Sequence, residues 1–304
     1  MNAGMLFPGQ GSQFVGMGKD YYDAFPEARE LYKAANARLG FDIAELSFNG
    51  ELEELTQTRN LQPAILLHSV VVLEILRQRG VNPGLVAGHS LGEFSALVAA
   101  GFFKPMDALE IVRRRGELMY EAGLLRPGTM AAIIGLDEEK VEAALNNVSD
   151  GIVVVANYNS PAQFAISGEL TGVENGCAAC KEAGAKRALP LPVSGAFHSP
   201  LMEPTVPEFR AFLDRFDHGR LGVKWVANVT GEIVEDGSQV VDLLARQLSS
   251  PVRWTASMKT YARATASQVY EVGPGKVLAG LMKRIVDDVS VLSLTSVDLL
   301  NEAV

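Results

Sequence analysis

The sequence predicts an α/β protein: a large domain with a mainly parallel sheet, into which a small ferredoxin-like domain of βαββαβ topology is inserted. Three observations lead to this prediction. Short apolar strands alternate with helices at the start of the chain, the loop LRPG at 125–128 interrupts that alternation, and six further elements follow it. We therefore expect the large domain at residues 1–125 and 194–304 and the small domain at residues 126–193.

The first part of the large domain is placed by its apolar patterns. The helix at 63–79 is apolar nearly all round, which is typical of a buried helix, and Pro63 stands near its first turn. The other predicted elements are strands at 5–7 and 84–87 and helices at 93–100 and 105–122. Alternation of this kind favours a parallel sheet covered by helices.

The small domain is predicted from the order of its elements. These are a strand at 129–136, a helix at 137–147, strands at 152–156 and 163–167, a helix at 173–184 and a strand at 187–193. The polar segment NYNSP at 157–161 is predicted to be the turn between the two middle strands. The chain then returns to the large domain, with strands near 225–228 and 268–272 and a helical tail after Ser290.

Composition excludes several classes of function. Of the 304 residues, 48% are hydrophobic and 21% are charged, as in soluble globular proteins. The net charge of −9 argues against nucleic acid as a partner, and we expect neither a membrane span nor a signal peptide. Two cysteines cannot form a disulfide framework, which favours the cytoplasm. Cys177 and Cys180 have the CxxC spacing of a redox pair, but without a second such pair a structural role is favoured.

The segment GHSLG at 88–92 is the strongest indication of function. It stands between a predicted strand and a predicted helix, which is the arrangement of the nucleophile elbow in α/β-hydrolases. The amides at the start of the following helix point at charge that develops near the serine. We therefore predict that Ser90 is a nucleophile and that the large domain is α/β-hydrolase-like. The alternative is a tight turn whose serine only caps the helix.

A serine nucleophile needs a base, and the chain has four histidines. His68 lies in the apolar helix, where a hydrogen-bonded core histidine is expected. His89 adjoins the serine and should point away from it, and His218 lies in a polar stretch typical of a surface loop. His198 follows a predicted strand in a loop of small residues, where catalytic groups of open α/β sheets collect. By elimination, His198 is the predicted base.

Arg115 is predicted to be buried. In the helix at 105–122 it shares one face with four apolar residues, Ala108, Ile111, Val112 and Met119. A buried guanidinium without a partner is costly, so Arg115 either pairs with an internal carboxylate or binds an anionic substrate. The sequence leaves both alternatives open.

The glycine-rich loop PGQGSQ at 8–13 follows the first strand but matches neither common phosphate-binding pattern. We expect it to supply a backbone N–H to an oxyanion hole, together with the N–H of Leu91. Between Ser90 and His198 no acidic residue suggests itself as the group that orients the base. A backbone carbonyl is the alternative.

Seven motifs follow one another along the chain: FPGQGSQ at 7–13, GHSLGE at 88–93, RG at 115–116, NYNSP at 157–161, GAFH at 195–198, PVRW at 251–254 and EVGPGK at 271–276. Taken together, they resemble the motifs of malonyl-CoA:acyl carrier protein transacylases. The resemblance covers nearly the whole chain. It implies that Ser90, deprotonated by His198, takes the malonyl group from malonyl-CoA as an ester and passes it to the phosphopantetheine thiol of acyl carrier protein.

The resemblance also implies roles for individual residues. Arg115 is expected to pair with the malonyl carboxylate. Gln10 and Leu91 are expected to form the oxyanion hole through their backbone amides, and the main-chain carbonyl of Gln247 to orient His198.

Three more residues are expected to contact the substrate. Phe197 matches the malonyl-type signature and would exclude a branched methylmalonyl group. Met119 shares the helix face of Arg115, and Asn157 begins the NYNSP motif. No metal or redox cofactor is implied.

The expected partner is an acyl carrier protein, which is acidic and should dock on a basic rim. The candidate residues are Lys186, Arg187, Lys283 and Arg284. Three other functions remain open: an acyltransferase that serves a polyketide synthase in trans, a plain serine esterase, and a carrier-protein docking module without transfer activity.

Overall fold

A computed structural model describes residues 2–193, 195–265 and 268–304 of the chain. Ser194, where we predict the second part of the large domain to begin, lies outside the described residues. The strands are β1 Asn2–Phe7, β2 Asn82–Gly88, β3 Gly128–Ile134, β4 Val153–Ser160, β5 Gln163–Glu169, β6 Arg187–Pro190, β7 Lys224–Val226, β8 Ile233–Val234, β9 Val269–Glu271 and β10 Val291–Ser293.

Helices lie between most of these strands along the chain. They are α1 Lys19–Ala24, α2 Pro26–Leu39, α3 Ile43–Asn49, α4 Leu52–Thr56, α5 Thr58–Gln78, α6 Gly92–Ala99, α7 Pro105–Leu125, α8 Glu138–Asn146, α9 Leu170–Glu182, α10 Val206–Leu213, α11 Val240–Gln247, α12 Trp254–Ala264, α13 Val277–Ile285 and α14 Val297–Ala303. Short 3₁₀ helices lie at Pro200–Thr205 and Gly237–Gln239.

The large sheet has the strand order β10-β9-β1-β2-β7-β8. Its pairs are parallel except for β7 and β8, which are antiparallel. Because Phe7 lies opposite Gly88 at the ends of β1 and β2, the loops that follow these strands emerge side by side. The N–H of His89 donates to the carbonyl of Phe7 at 3.0 Å. This register brings the glycine-rich loop beside Ser90.

The small sheet has the order β4-β5-β3-β6 and is antiparallel throughout. With α8 and α9 between its strands in the chain, it has the ferredoxin-like order expected of βαββαβ, and the predicted fold class is confirmed. Two hydrogen bonds join β4 to Val252: Tyr158 N–H donates to the Val252 carbonyl at 2.9 Å, and Val252 N–H donates to the Ala156 carbonyl at 2.8 Å. The domain boundaries at 125/126 and 193/194 stay a prediction.

The core lies on both faces of the large sheet and on both faces of the small one, where Met130, Ala156 and Ala165 belong to the large cluster. A large apolar cluster covers the face on which α5, α6 and α7 pack, a second cluster lies under α12 and α13, and a third fills the space between the small sheet and its helices. Each cluster removes apolar side chains from water, which is the main favourable contribution to folding.

Helix α5 begins at Thr58, five residues before the predicted start, so Pro63 lies inside the helix. A proline lacks the N–H that would bond to the carbonyl four residues earlier. That carbonyl, of Arg59, accepts instead from the Arg113 guanidinium at 3.1 Å. By length and hydropathy alone α5 could span a membrane, which the sequence analysis did not expect. Most of the helix is buried within the protein.

Two further predictions about the strands were wrong. Strand β4 continues through the segment predicted as a turn and ends at Ser160, because register shifts near Asn157 and Ser160 accommodate the polar residues. The tail after Ser290 begins with β10, which forms one edge of the large sheet before α14. This strand has three residues, too few for a clear alternation in the sequence.

The close passage of β2 past α6 predicts that Gly88→Ala is strongly destabilising. A Cβ at Gly88 would collide with the backbone of Gly92 and Glu93, which cannot move aside as a side chain can. We expect the free energy of unfolding to fall by about 3 kcal/mol or more in chemical denaturation.

Gly280→Ala is the matched control, because Gly280 lies in α13 with open space around the position of a Cβ. It should stabilise the protein by about 0.5–1 kcal/mol. Equal effects of the two substitutions would contradict the close packing at the elbow.

Candidate active site

Ser90 lies in the sharp turn between β2 and α6. Its φ of 51° is in the left-handed region, which residues other than glycine rarely adopt. Two side chains hold the backbone of Ser90 in this conformation: its N–H donates to Asn228 Oδ1 at 2.7 Å, and its carbonyl accepts from Gln247 Nε2 at 2.9 Å. The surrounding contacts therefore offset a strain of about 1–3 kcal/mol.

His198 contacts Ser90 directly, with 2.8 Å between Nε2 and Ser90 Oγ. Its other ring nitrogen, Nδ1, lies 2.8 Å from the main-chain carbonyl of Gln247. Because a carbonyl oxygen can only accept, Nδ1 carries the hydrogen and Nε2 is free to take the serine proton. The group that orients His198 is thus a backbone carbonyl, in the place where many serine hydrolases have a carboxylate.

His198 is buried and stays neutral at neutral pH. Burial and the nearby charge of Arg115 lower its pKa to about 3. A neutral imidazole bonded to a serine hydroxyl has the protonation state that a general base requires.

Arg115 is buried beside Ser90, on the face of α7 that also carries Met119. Its Nη1 donates to Gln62 Oε1 at 2.8 Å, and its Nη2 donates to Gln247 Oε1 at 2.7 Å and to Ser90 Oγ at 3.1 Å. Its Nε has no partner among the described residues. The guanidinium carbon lies 5.5 Å from the centre of the Phe94 ring.

The hydrogen-bond partners of Arg115 are two amides and a hydroxyl, and none of them is a carboxylate. Burial lowers its pKa to about 10, so the guanidinium remains charged at neutral pH. Of the two alternatives that the sequence left open, this arrangement favours a substrate anion as the partner of Arg115.

A cavity of about 160 Å³ lies over Ser90 and is lined by strands of the small sheet, by α5 and α7 and by the loops that follow β1 and β2. Most of the predicted site residues border it, including Gln10, Leu91, Arg115, Met119, Asn157, Phe197 and His198. An adjoining cavity of about 300 Å³ shares Gln10, Leu191 and Val193 with it and is bordered by the start of α5. Gln247 lies behind Ser90 and Arg115 and reaches both by hydrogen bonds.

The four predicted docking residues lie on the surface, apart from this cavity. All are exposed. Arg284 donates to the side chain of Gln163 at 2.7 Å. Gln163 in β5 and Arg187 in β6 both lie opposite Ile134, the last residue of β3, on its two sides. Arg284 and Arg187 are therefore close to one end of the small sheet. Lys283 borders a surface cavity that also contains Asp287 and Asp288, where the charge is mixed.

Sequence reasoning missed three residues that complete the site: Gln62, Glu93 and Asn228. Gln62 holds one arm of Arg115. Asn228 holds the backbone of Ser90, and Glu93 accepts from the Asn228 N–H at 2.8 Å and from Gln247 Nε2. Glu93 stands in the GHSLGE motif and Asn228 at the end of a predicted strand, but nothing in the sequence indicates that they meet.

The other histidines have structural contacts. His89 lies 2.8 Å from Asn159 through Nε2, and the exposed His218 ring stacks on Phe102 with 5.0 Å between centroids. His68 is buried as predicted, but the expectation of a fully hydrogen-bonded ring was wrong, because its Nδ1 has no partner among the described residues. The His68 ring packs edge-to-face against the ring of Tyr21, with 5.6 Å between the ring centroids.

Cys177 and Cys180 are free thiols in α9. Burial raises the pKa of both thiols, which disfavours the thiolate that redox chemistry needs. Within residues 2–193, 195–265 and 268–304, no three His, Cys, Asp or Glu residues are grouped as metal ligands would be.

The lowered pKa of His198 predicts a loss of stability in acid. Unfolded His198 binds a proton below its ordinary pKa of 6.5 and the folded residue does not, so its contribution falls as the pH falls below 6.5. We expect the difference in unfolding free energy between wild type and His198→Gln to shrink by about 2 kcal/mol from pH 7 to pH 5. Denaturation of both proteins at the two pH values measures it. A difference that does not change would mean that folded His198 has an ordinary pKa.

Comparison with known proteins identifies the family. A family model described as "Acyl transferase domain" matches residues 5–299. The malonyl CoA-acyl carrier protein transacylases of Bacillus subtilis (strain 168) and Escherichia coli (strain K12) are 44% and 45% identical to this chain. The alignments cover 92% and 95% of this chain and 89% and 94% of those proteins.

Solved structures agree with this assignment. An acyl carrier protein S-malonyltransferase from Vibrio cholerae O1 has a TM-score of 0.94 at 39% identity, with 100% of both chains covered. A malonyl-transacylase in complex with a type II PKS acyl-carrier protein has a TM-score of 0.95 at 41% identity, with 100% of this chain and 99% of that chain covered. The chain therefore belongs to the acyl transferase family and, within it, to the malonyl-CoA:acyl carrier protein transacylases.

Proposed function

We propose that this protein transfers the malonyl group from malonyl-CoA to the phosphopantetheine thiol of acyl carrier protein through an ester on Ser90. The observation that supports this most strongly is the buried Arg115, whose Nη2 lies 3.1 Å from Ser90 Oγ and whose partners leave it unpaired with any carboxylate. A nucleophile beside a buried cation suits an acyl group that itself carries a negative charge.

In the first half of the reaction, Ser90 Oγ attacks the thioester carbonyl while His198 Nε2 takes the hydroxyl proton. The carbon–sulfur bond then breaks, and His198 returns the proton to the departing sulfur of CoA. The Gln247 carbonyl holds Nδ1–H and stabilises the imidazolium that forms between these steps. The products are malonyl-Ser90 and free CoA.

Two backbone amides are placed to stabilise the oxyanion of the tetrahedral intermediate. Leu91 follows the nucleophile at the start of α6, and Gln10 lies in the loop after β1, the strand next to β2. Both residues line the cavity above Ser90. We propose that their N–H groups donate to the developing negative charge.

The walls of the cavity would set the choice of acyl group. Arg115 binds the malonyl carboxylate, Met119 and Asn157 border the same space, and the buried ring of Phe197 restricts its width. At about 160 Å³ the cavity suits a short acyl chain and disfavours a branch next to the reacting carbonyl.

In the second half, the phosphopantetheine thiol replaces CoA at the site. Its sulfur attacks the ester carbonyl, His198 takes the thiol proton, and the proton passes to Ser90 Oγ as the ester bond breaks. We propose that hydrolysis is slower than this transfer, because Arg115 fixes the malonyl group in one pose and no carboxylate strengthens His198 as a base. The reaction needs no metal or redox cofactor, which stays a prediction.

A role in polyketide synthesis is the second candidate, because one of the matched structures is a complex with a type II PKS acyl-carrier protein. The active-site residues suit either carrier. An esterase is disfavoured by the buried Arg115, and a docking module without activity is disfavoured by the hydrogen bond between Ser90 and His198. The proposed cytoplasmic location rests on the low cysteine content.

Intact mass spectrometry after brief incubation with malonyl-CoA tests the covalent step. Wild type should gain one malonyl group and Ser90→Ala none. Arg115→Ala should lose at least about tenfold in malonylation rate, since a charged hydrogen bond of about 1.5–3 kcal/mol is removed, and should gain relative preference for acetyl-CoA.

Arg114→Ala is the matched control for this experiment. It removes the same charge from the neighbouring residue, which pairs with Glu208 at the surface. Its malonylation rate should stay within about twofold of wild type. No adduct on wild type with any acyl-CoA would overturn the proposed transfer.

If acyl carrier protein docks on the predicted basic residues, charge reversal there should weaken binding of the carrier protein without affecting the reaction with malonyl-CoA. The double reversal Arg187→Glu/Arg284→Glu should raise the KM for acyl carrier protein about tenfold and leave malonylation by malonyl-CoA unchanged, because a rim charge acts on encounter. Lys33→Glu, on the exposed face of α2, is the control. An unchanged KM in the double variant would place the carrier on another surface.

A further inference from the structure

Glu93 is a buried carboxyl group to which the transfer described above gives no role. It lies in the first turn of α6, three residues after the nucleophile, and is 1% exposed. Burial raises the pKa of Glu93, whereas the N–H groups that donate to both of its oxygens and the nearby charge of Arg115 favour its ionised form. A buried carboxyl group is stable only with hydrogen-bond partners, and those of Glu93 lie on both sides of Ser90.

One side of Glu93 leads to the backbone of the nucleophile through Asn228. Glu93 Oε1 accepts from the Asn228 main-chain N–H at 2.8 Å. The side chain of Asn228 in turn accepts from the Ser90 N–H at 2.7 Å and donates to the Gly88 carbonyl at 2.7 Å. Glu93 therefore holds the residue that fixes the strained turn.

The other side of Glu93 leads to Arg115 through Gln247. Glu93 Oε2 accepts from Gln247 Nε2, which also donates to the Ser90 carbonyl. Two acceptors thus surround the NH₂ end of this amide, so its oxygen end must face the other way. There Gln247 Oε1 accepts from Arg115 Nη2 at 2.7 Å.

The charges of Glu93 and Arg115 are held close to each other without direct contact. The negative group, Glu93, and the positive group, Arg115, are separated by one neutral amide. The Glu93 charge offsets that of Arg115 without occupying its donors. A direct ion pair would hold Arg115 as firmly, but it would use the N–H groups that a substrate carboxylate needs.

We propose that Glu93 is a positioning residue: by accepting from Gln247 it fixes the amide that presents Arg115 to the acyl group, and so sets the preference for a carboxylated acyl group over a neutral one. This inference rests on the proposed function, because it concerns how the site distinguishes malonyl-CoA from acetyl-CoA.

Glu93→Gln tests the proposal with a side chain of the same size. A carboxylate accepts at both oxygens, whereas an amide has one oxygen and one NH₂ group. The Asn228 main-chain N–H is fixed, so the amide oxygen of residue 93 must accept from it. The NH₂ group of residue 93 then faces the NH₂ group of Gln247, and two donors cannot bond to each other. Gln247 then turns its oxygen towards residue 93 and its NH₂ group towards Arg115. We expect the KM for malonyl-CoA to rise and the malonyl-to-acetyl ratio of kcat/KM to fall, each at least about tenfold. The kcat falls for both acyl-CoAs, because the turned amide no longer donates to the Ser90 carbonyl, so the ratio is the decisive measurement.

Glu271→Gln is the matched control. Glu271 is also a buried carboxyl group, and it accepts from the N–H groups of Leu278 and Ala279 and from Ser293 Oγ, at the start of α13. This variant should lose stability without a change in the malonyl-to-acetyl ratio. An unchanged ratio in Glu93→Gln, or an equal fall in both variants, would overturn the positioning role.

Two further measurements keep the test decisive. If Glu93→Gln does not fold, Glu93→Asp keeps the carboxylate but shortens its reach, and it should lose the same preference. If wild type forms no malonyl adduct, the proposed function fails, and a neutron crystal structure of Glu93→Gln, which distinguishes an amide oxygen from an NH₂ group, decides the positioning role alone. A Gln247 side chain that still accepts from Arg115 there would overturn it, and one that has turned away would support it.

Discussion

The positive charge of Arg115 lies inside the protein, and much of the surrounding structure stabilises it there while leaving it within reach of the nucleophile. A buried guanidinium that lacks hydrogen-bond partners would cost several kcal/mol. Gln62 from α5 and Gln247 from α11 supply those partners, and the ring of Phe94 from α6 lies below the guanidinium. Because these direct partners are neutral, they solvate the charge without forming an ion pair with it.

The same side chains also hold the nucleophile. Ser90 and His198 both have φ values in the left-handed region, 51° and 58°. Such conformations persist only where neighbouring contacts leave the backbone no alternative. Asn228 and Gln247 bond to the N–H and the carbonyl of Ser90, and the main-chain carbonyl of Gln247 bonds to His198. Gln247 thus connects the nucleophile, the base and the cation, which explains why its side chain is fully buried.

Parts of the chain that belong to different sheets meet at the cavity over Ser90. Ser90 follows β2 of the large sheet, and the small sheet contributes Met130 from β3 and Ala165 from β5 to the wall. Strand β4 is hydrogen-bonded to Val252, which lies between α11 and α12. These bonds fix the position of the small sheet relative to the elements around Ser90.

The α/β fold class, the ferredoxin-like insertion and the family could be predicted from the sequence, because these depend on local apolar patterns and on motifs of adjacent residues. The sequence also indicated that Arg115 is buried, since a helix places residues three and four apart on one face. The start of α5, the length of β4 and the edge strand β10 were predicted wrongly, because Arg113, Val252 and β9 stabilise them from distant parts of the chain. The contacts of Glu93, Asn228 and Gln62 with Ser90, Gln247 and Arg115 became visible in the folded protein alone. Ser90 and Gln247 are 157 positions apart, and no local pattern records a hydrogen bond that the packing of α11 against the elbow creates.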